Sequence, residues 1–241
     1  MRSLLAAVAF LTRFPVGRSV PFEAADVSRS AGWFPLIGLL LGGLSIAAAA
    51  LLKRHLPPIV IAALLLLLDA VLTGALHFDG LADTADGFGG GKGREQVLAI
   101  MRDHSIGSYG ALALALVVGL KLTAYATLLK QSDWLPALLL TPALGRWSAL
   151  LLTSTLPYAR PSASVAGSMG KQALLWGTAT ILLTVLALRS IRAWIAMAVV
   201  IAVTAVFGLY CRQRIAGITG DVLGANLQLC ESAALLTFIW V

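Results

Sequence analysis

The sequence predicts an all-α protein, a polytopic helical membrane bundle of about seven transmembrane helices (range six to eight), and three observations lead there. Hydrophobic residues make up 59% of the chain and charged residues 12%, with a mean hydropathy of +0.90, far more apolar than a soluble domain. The apolar residues fall in runs long enough to cross a bilayer, which takes about 20 residues as a helix. Those runs are rich in Leu, Ala, Val and Gly without a ten-residue alternation, which excludes an outer-membrane barrel.

Taken in order, the amino-terminal stretch MRSLLAAVAFLTRFPVGRS carries a charge and a short apolar run but no small-x-small cleavage site. It breaks at Arg13 and Pro15, so it reads as a retained amphipathic or re-entrant segment. Spans follow near 31–52, 58–78, 107–129, 134–156, 172–188, 193–210 and 222–241. They are separated by KRHLPP, the long DGLADTADGFGGGKGREQVLAIMRDHS, KQSD, PYARPSASVAGSMGK, RSIR and CRQRIAGITGD. Only the second of these loops is long enough to house chemistry by itself. No internal repeat, linker or low-complexity tract divides the chain, and 1–241 reads as one integral membrane domain.

Charge sets the expected orientation. Arg2, Arg13, Arg18, Arg29, Lys92, Arg94, Arg102, Arg160, Lys171, Arg212 and Arg214 fall on one side and outnumber Lys53, Arg54, Lys130, Arg189 and Arg192 on the other. The positive-inside rule then puts the amino terminus, the aspartate loop and the GITGD loop in the cytoplasm. The net charge of +7 is scattered through short loops and forms no block, which argues against nucleic acid as a partner. Cys211 and Cys230 lack ligand spacing and read as inert.

Asp79, Asp83 and Asp86 are spaced by four and three residues; if the second span continues as a helix past His77, all three share one face. Such a face is either a solvated helix end or a site for a hard divalent cation such as Mg²⁺, with substrate phosphate completing the shell. GFGGGKG, from Gly87 to Gly93, is not a Walker motif, because Gly93 follows Lys92 and a helix precedes it. It is a flexible hinge or a turn whose amides embrace a pyrophosphate together with Lys92 and Arg94.

Further on, Arg102 and Asp103 precede the third span. Arg146 lies inside the fourth, as a phosphate clamp, a partner for the aspartates or a structural ion pair. Asp221, Asn226, Gln228 and Glu231 make one side of the last span polar, so that side should face the bundle interior. Asp69 reads as a structural partner of Lys121 or Arg146. His55, His77 and His104 are boundary residues with metal ligation as the alternative. Metal-assisted phosphoryl transfer competes here with a transporter, whose polar residues would line a path but which would show two related halves.

The segments FLTRFPV, FPLIGLLLG, HFDGLADTADGFGGGKGREQVLAIMRDHSIGSYGALAL, LGRW, LPYAR and GITGDVLGANLQLCE closely resemble, in that order, those of the cobalamin synthase family, adenosylcobinamide-GDP ribazoletransferase of the bacterial inner membrane. The resemblance spans nearly the whole chain. It implies a Mg²⁺-dependent reaction of GDP-activated adenosylcobinamide with α-ribazole or its 5′-phosphate, giving adenosylcobalamin or its phosphate and releasing GMP. The lipid bilayer and other enzymes of the cobalamin pathway are the further expected partners.

Carried over, the family's aspartate motif falls on Asp79, Asp83 and Asp86, its basic-acidic pair on Arg102 and Asp103, and its carboxy-terminal motif on Asp221 and Glu231. Gln228 departs from a glutamate frequent in that motif. The mechanism expected from this gives the metal to Asp79 and Asp83, with Asp86 a further ligand or the base that takes a proton from the ribazole 5′-hydroxyl. Lys92, Arg94, Arg102 and Arg146 would grip phosphate, Asp103 and Asp221 would complete the shell or orient the nucleotide, Arg102 and Asp103 would join Asp86 in catalysis, and Asp221 and Glu231 would contact substrate or its phosphate. A looser likeness to CDP-alcohol phosphotransferases stops at clustered aspartates, because the longer motif spacing and its arginine are missing.

Overall fold

The computed structural model describes residues 2–17, 26, 29–103, 105–132, 134–160 and 171–240; Arg18 and His104 lie outside them. Helix α1 (Arg2–Leu11) is short, buries Ala6, Ala7 and Leu11 and stacks Phe10 on Phe34 at 5.7 Å between centroids. After a 3₁₀ turn at Ala31–Trp33, α2 (Phe34–Leu52) makes the first crossing. It is followed by α3 (Pro58–Thr73), α4 (Leu76–Gly90), α5 (Arg94–Ile100), α6 (Ser108–Leu128), α7 (Trp134–Thr155), α8 (Lys171–Leu188), α9 (Ile191–Ile215) and α10 (Gly220–Ile239). Among the described residues six helices are long and apolar enough to cross a membrane, and α3 with α4 makes up to seven if that bent pair is one span.

The bend corrects the expected 58–78 span. The helix stops at Thr73 and the chain turns by 91° through two left-handed residues, Gly74 at φ 66° and Ala75 at φ 56°. Only glycine enters that region without strain. The turn is closed by the Ala75 amide donating to the Ala70 carbonyl at 2.8 Å and by the Arg13 amide donating to Leu72 at 2.7 Å. The Arg13 side chain occupies the space a Cβ at Gly74 would need. The amino-terminal segment therefore packs on the break.

Helices α7 and α10 form the centre, buried over 78% and 72% of their most apolar stretches, whereas α8 is buried over 17% and faces outward. Close approach is bought with small residues, as is usual between membrane helices. At Gly38 and Gly42 a Cβ would lie 2.4 Å from the Ala143 Cα and 2.6 Å from the Leu139 carbonyl oxygen, so α2 and α7 are in backbone contact. Leu41, Leu138, Leu144, Leu150, Ile181 and Phe238 fill the space around that contact.

Candidate active site

The bundle concentrates its polar groups in two places, one at the end where α4 emerges and one in the interior. At the emerging end, α4 carries all three aspartates on one helix, but their surroundings differ. Asp86 is buried and accepts from the amides of Gly107 and Gly110, each at 2.8 Å. It thus serves α6 as an N-cap supplied from another helix. A carboxylate there satisfies two of the amides a helix start leaves open and lies at the positive end of the helix dipole. Asp79 is exposed and Asp83 half-buried. Each Asp86 oxygen thus accepts one amide, a capping role that the spacing alone did not predict.

Asp79 meets a partner the loop alone did not predict. A Cβ at Gly80 would lie 2.7 Å from the Asp221 carbonyl oxygen, so α4 and the start of α10 touch backbone to backbone there. That contact brings Asp79, the residue before Gly80, into the neighbourhood of Asp221. Thr219 caps α10, accepting from the Val222 amide at 3.2 Å. Arg160 Nη2 pairs with Asp221 Oδ2 at 3.3 Å. The two loops are stitched together, with the Ala159 amide donating to Ile218 at 2.8 Å and the Ile218 amide to Pro157 at 3.0 Å.

Beside this pair lies a cleft of about 680 Å³ whose wall includes Arg94, Glu95, Gln96, Arg102 and Arg160. Arg94 Nη2 donates to the Ala159 carbonyl at 3.0 Å, and the Lys92 amide donates to Gln96 Oε1 at 3.0 Å. The glycines before Lys92 are not a loose hinge: α4 runs on to Gly90. Its end is held by Arg214, whose Nη2 donates to the carbonyls of Phe88 at 2.6 Å and Gly91 at 2.7 Å. Arg102 and Asp103 follow α5 and are exposed; Asp103 Oδ1 accepts from the Ser105 amide at 3.0 Å.

The interior cluster holds the other expected site residues. Glu231 accepts from Lys121 Nζ on one oxygen and from Arg146 Nη1 on the other, both at 2.5 Å. Lys121 also donates to Gln228, and Arg146 Nη2 lies 3.7 Å from Asp69. Arg146 is fully buried and Glu231 is 2% exposed. They neutralise each other inside the bundle, as charges within a membrane usually do, which is the ion-pair alternative for Arg146. Asp69 takes the structural pairing foreseen for it. His77 is buried and His55 sits on the turn between α2 and α3. Cys211 and Cys230 are buried free thiols.

Arg160 and Arg214 entered the sequence reading only as topology markers. The signal for Arg160 was present in LPYAR, one of the segments that carry the family resemblance; nothing local marked Arg214. Among the described residues no group of three or more His, Cys, Asp or Glu side chains converges to hold a metal.

A model of the family described as cobalamin-5-phosphate synthase matches residues 3–239. The chain belongs to that family. It is similar to proteins named adenosylcobinamide-GDP ribazoletransferase: 40% identical to one from Rhizobium etli over 95% of this chain and 93% of that one, and 38% identical to one from Ralstonia nicotianae over 100% and 94%. One from Syntrophobacter fumaroxidans is 38% identical over 93% of both chains. No solved structure matches. As a member of the cobalamin-5-phosphate synthase family the chain is a multi-helix membrane transferase of cobalamin synthesis, which sets aside the transporter and the CDP-alcohol reading.

Proposed function

We propose that this chain is the adenosylcobinamide-GDP ribazoletransferase of a bacterial inner membrane, with the α4 end of the bundle cytoplasmic. It joins GDP-activated adenosylcobinamide to α-ribazole or α-ribazole 5′-phosphate and releases GMP. The observation that carries the reading is the backbone contact at Gly80 that sets the Asp79 turn of α4 against Asp221, whose partner Arg160 lines the arginine-rich cleft, in a chain of this family. A ribose hydroxyl oxygen of ribazole bonds to the phosphorus that bears cobinamide, and the bond from that phosphorus to the GMP oxygen breaks. The hydroxyl is not the 5′ one, because a 5′-phosphate on the acceptor persists in the product. Charge gathers on the leaving GMP, where Arg102 and Arg160 lie to receive it.

The donor set fits Mg²⁺. Asp79 and Asp221 offer hard oxygens, and Arg160 alone compensates them among the described residues. Mg²⁺ typically binds one or two carboxylates and takes the rest of its shell from phosphate and water. When bound it neutralises charge on the pyrophosphate. Asp83, half-buried on the same helix, takes the proton of the attacking hydroxyl, while Asp86 holds the start of α6.

The test is turnover by purified protein in detergent with GDP-cobinamide, α-ribazole and Mg²⁺, beside Asp79→Asn and Asp221→Asn. Wild type should form GMP and cobalamin, and each folded variant should be slower by roughly a hundredfold or more. Wild-type rates in both variants would move the chemistry elsewhere.

A further inference from the structure

Among the described residues, the charged side chains of the cleft beside Asp221 are cationic apart from one. Arg94, Arg102 and Arg160 supply its charge, and among the described residues Glu95 is the only acidic side chain in its wall. Glu95 stands in the first turn of α5 and is exposed. Although three arginines share the cleft, it has no hydrogen bond or ion pair among the described residues. Its neighbour Gln96 is tied to the Lys92 amide, and Arg94 to the Ala159 carbonyl. Arg160 belongs to both places, since it lines the cleft and pairs with Asp221.

Resting on the proposed transferase reading, we infer that this cleft is the subsite for the guanosine half of the substrate and that Glu95 reads the guanine base. A carboxylate presents two acceptor oxygens and no donor. Guanine alone among the common bases sets two donors side by side on its pairing edge, the ring N1–H and the exocyclic 2-amine, so the two fit as a bidentate, charge-assisted pair. Adenine and cytosine set a ring acceptor beside their amine, which would face a carboxylate oxygen lone pair to lone pair. Hypoxanthine keeps N1–H and lacks the amine.

The volume of about 680 Å³ lies within the usual range of small-ligand sites. The cleft also connects to the proposed reacting end. Base at Glu95 and phosphates at Arg102 and Arg160 would share one cleft, and Arg160 joins that cleft to the reacting end through its pair with Asp221.

Discrimination by one bidentate pair is worth roughly ten- to a hundredfold. The experiment titrates GMP and IMP calorimetrically into the purified protein with Mg²⁺, for wild type, Glu95→Gln and Glu95→Ala, with GDP-cobinamide turnover measured on each preparation. Wild type should bind GMP about tenfold or more tighter than IMP, and both variants should lose that preference, mainly by weakened GMP binding. Because Glu95 is exposed, both variants should keep the wild-type Tm, which confirms that they are folded. An unchanged GMP-to-IMP ratio in the variants, or no preference in an active wild type, overturns the inference and leaves the transferase standing. A folded wild type that neither turns over GDP-cobinamide nor binds GMP overturns the transferase reading, and the inference with it.

Discussion

Replacing Glu231 by Gln keeps the shape of the interior cluster and removes one charge. In the native protein two cations, Lys121 and Arg146, share the two oxygens of Glu231, and the remaining carboxylate, Asp69, stands 3.7 Å from Arg146. The variant leaves two buried cations facing one partly exposed carboxylate. Breaking a buried pair by removing one partner costs about 3–5 kcal/mol, because an uncompensated charge remains inside. For a chain of this length 1 kcal/mol moves Tm by about 2–4 °C, so Tm should fall by roughly 6 °C or more. Tryptophan fluorescence during heating in a mild detergent measures this. Joining Glu231→Gln with Lys121→Met, which removes one of the stranded cations, should recover part of the loss. A Glu231→Gln protein with wild-type Tm and no turnover would refute the reasoning and return Glu231 to the chemistry.

Two further outcomes follow from the site geometry. Asp86→Ala removes both acceptors from the start of α6; each charge-assisted bond is worth about 1.5–3 kcal/mol, so Tm should fall and hydrogen exchange at the Gly107 and Gly110 amides should accelerate. Gly80→Ala puts a methyl 2.7 Å from the Asp221 carbonyl oxygen and pushes α4 off α10. Misplacing the paired carboxylates by about 1 Å should slow turnover roughly a hundredfold, whereas an unchanged kcat would mean that the two need not meet.

The helices were legible because length and hydropathy decide what can cross a bilayer, and the placement of most spans depends on little else. The break at Gly74 and Ala75 was not, since TGAL lies inside a continuous apolar run and the turn is held by Arg13, remote in the chain. The same applies to the glycines after Asp86. Composition reads them as a hinge, but Arg214 holds the carbonyls at the end of α4 and keeps the helix intact. The three aspartates were found by their spacing. Their division of labour was not, because spacing is blind to which helix end each one faces: Asp86 meets the start of α6 and Asp79 the start of α10. Arg146 and Glu231 were recognised as unusual for a membrane span, yet only the packing shows that each answers the other.

The chain is made from its amino terminus, and that order gives the interior cluster a further meaning. Lys121 on α6 and Arg146 on α7 enter the bilayer well before Glu231, which arrives on the last helix. Until that helix is made, Asp69 is the one carboxylate of the cluster available to both cations. A nascent or truncated protein is therefore left with excess charge at its centre and cannot pack tightly, and it also lacks Asp221. Completion of the interior charge balance and of the proposed reactive end thus depend on the same late segment.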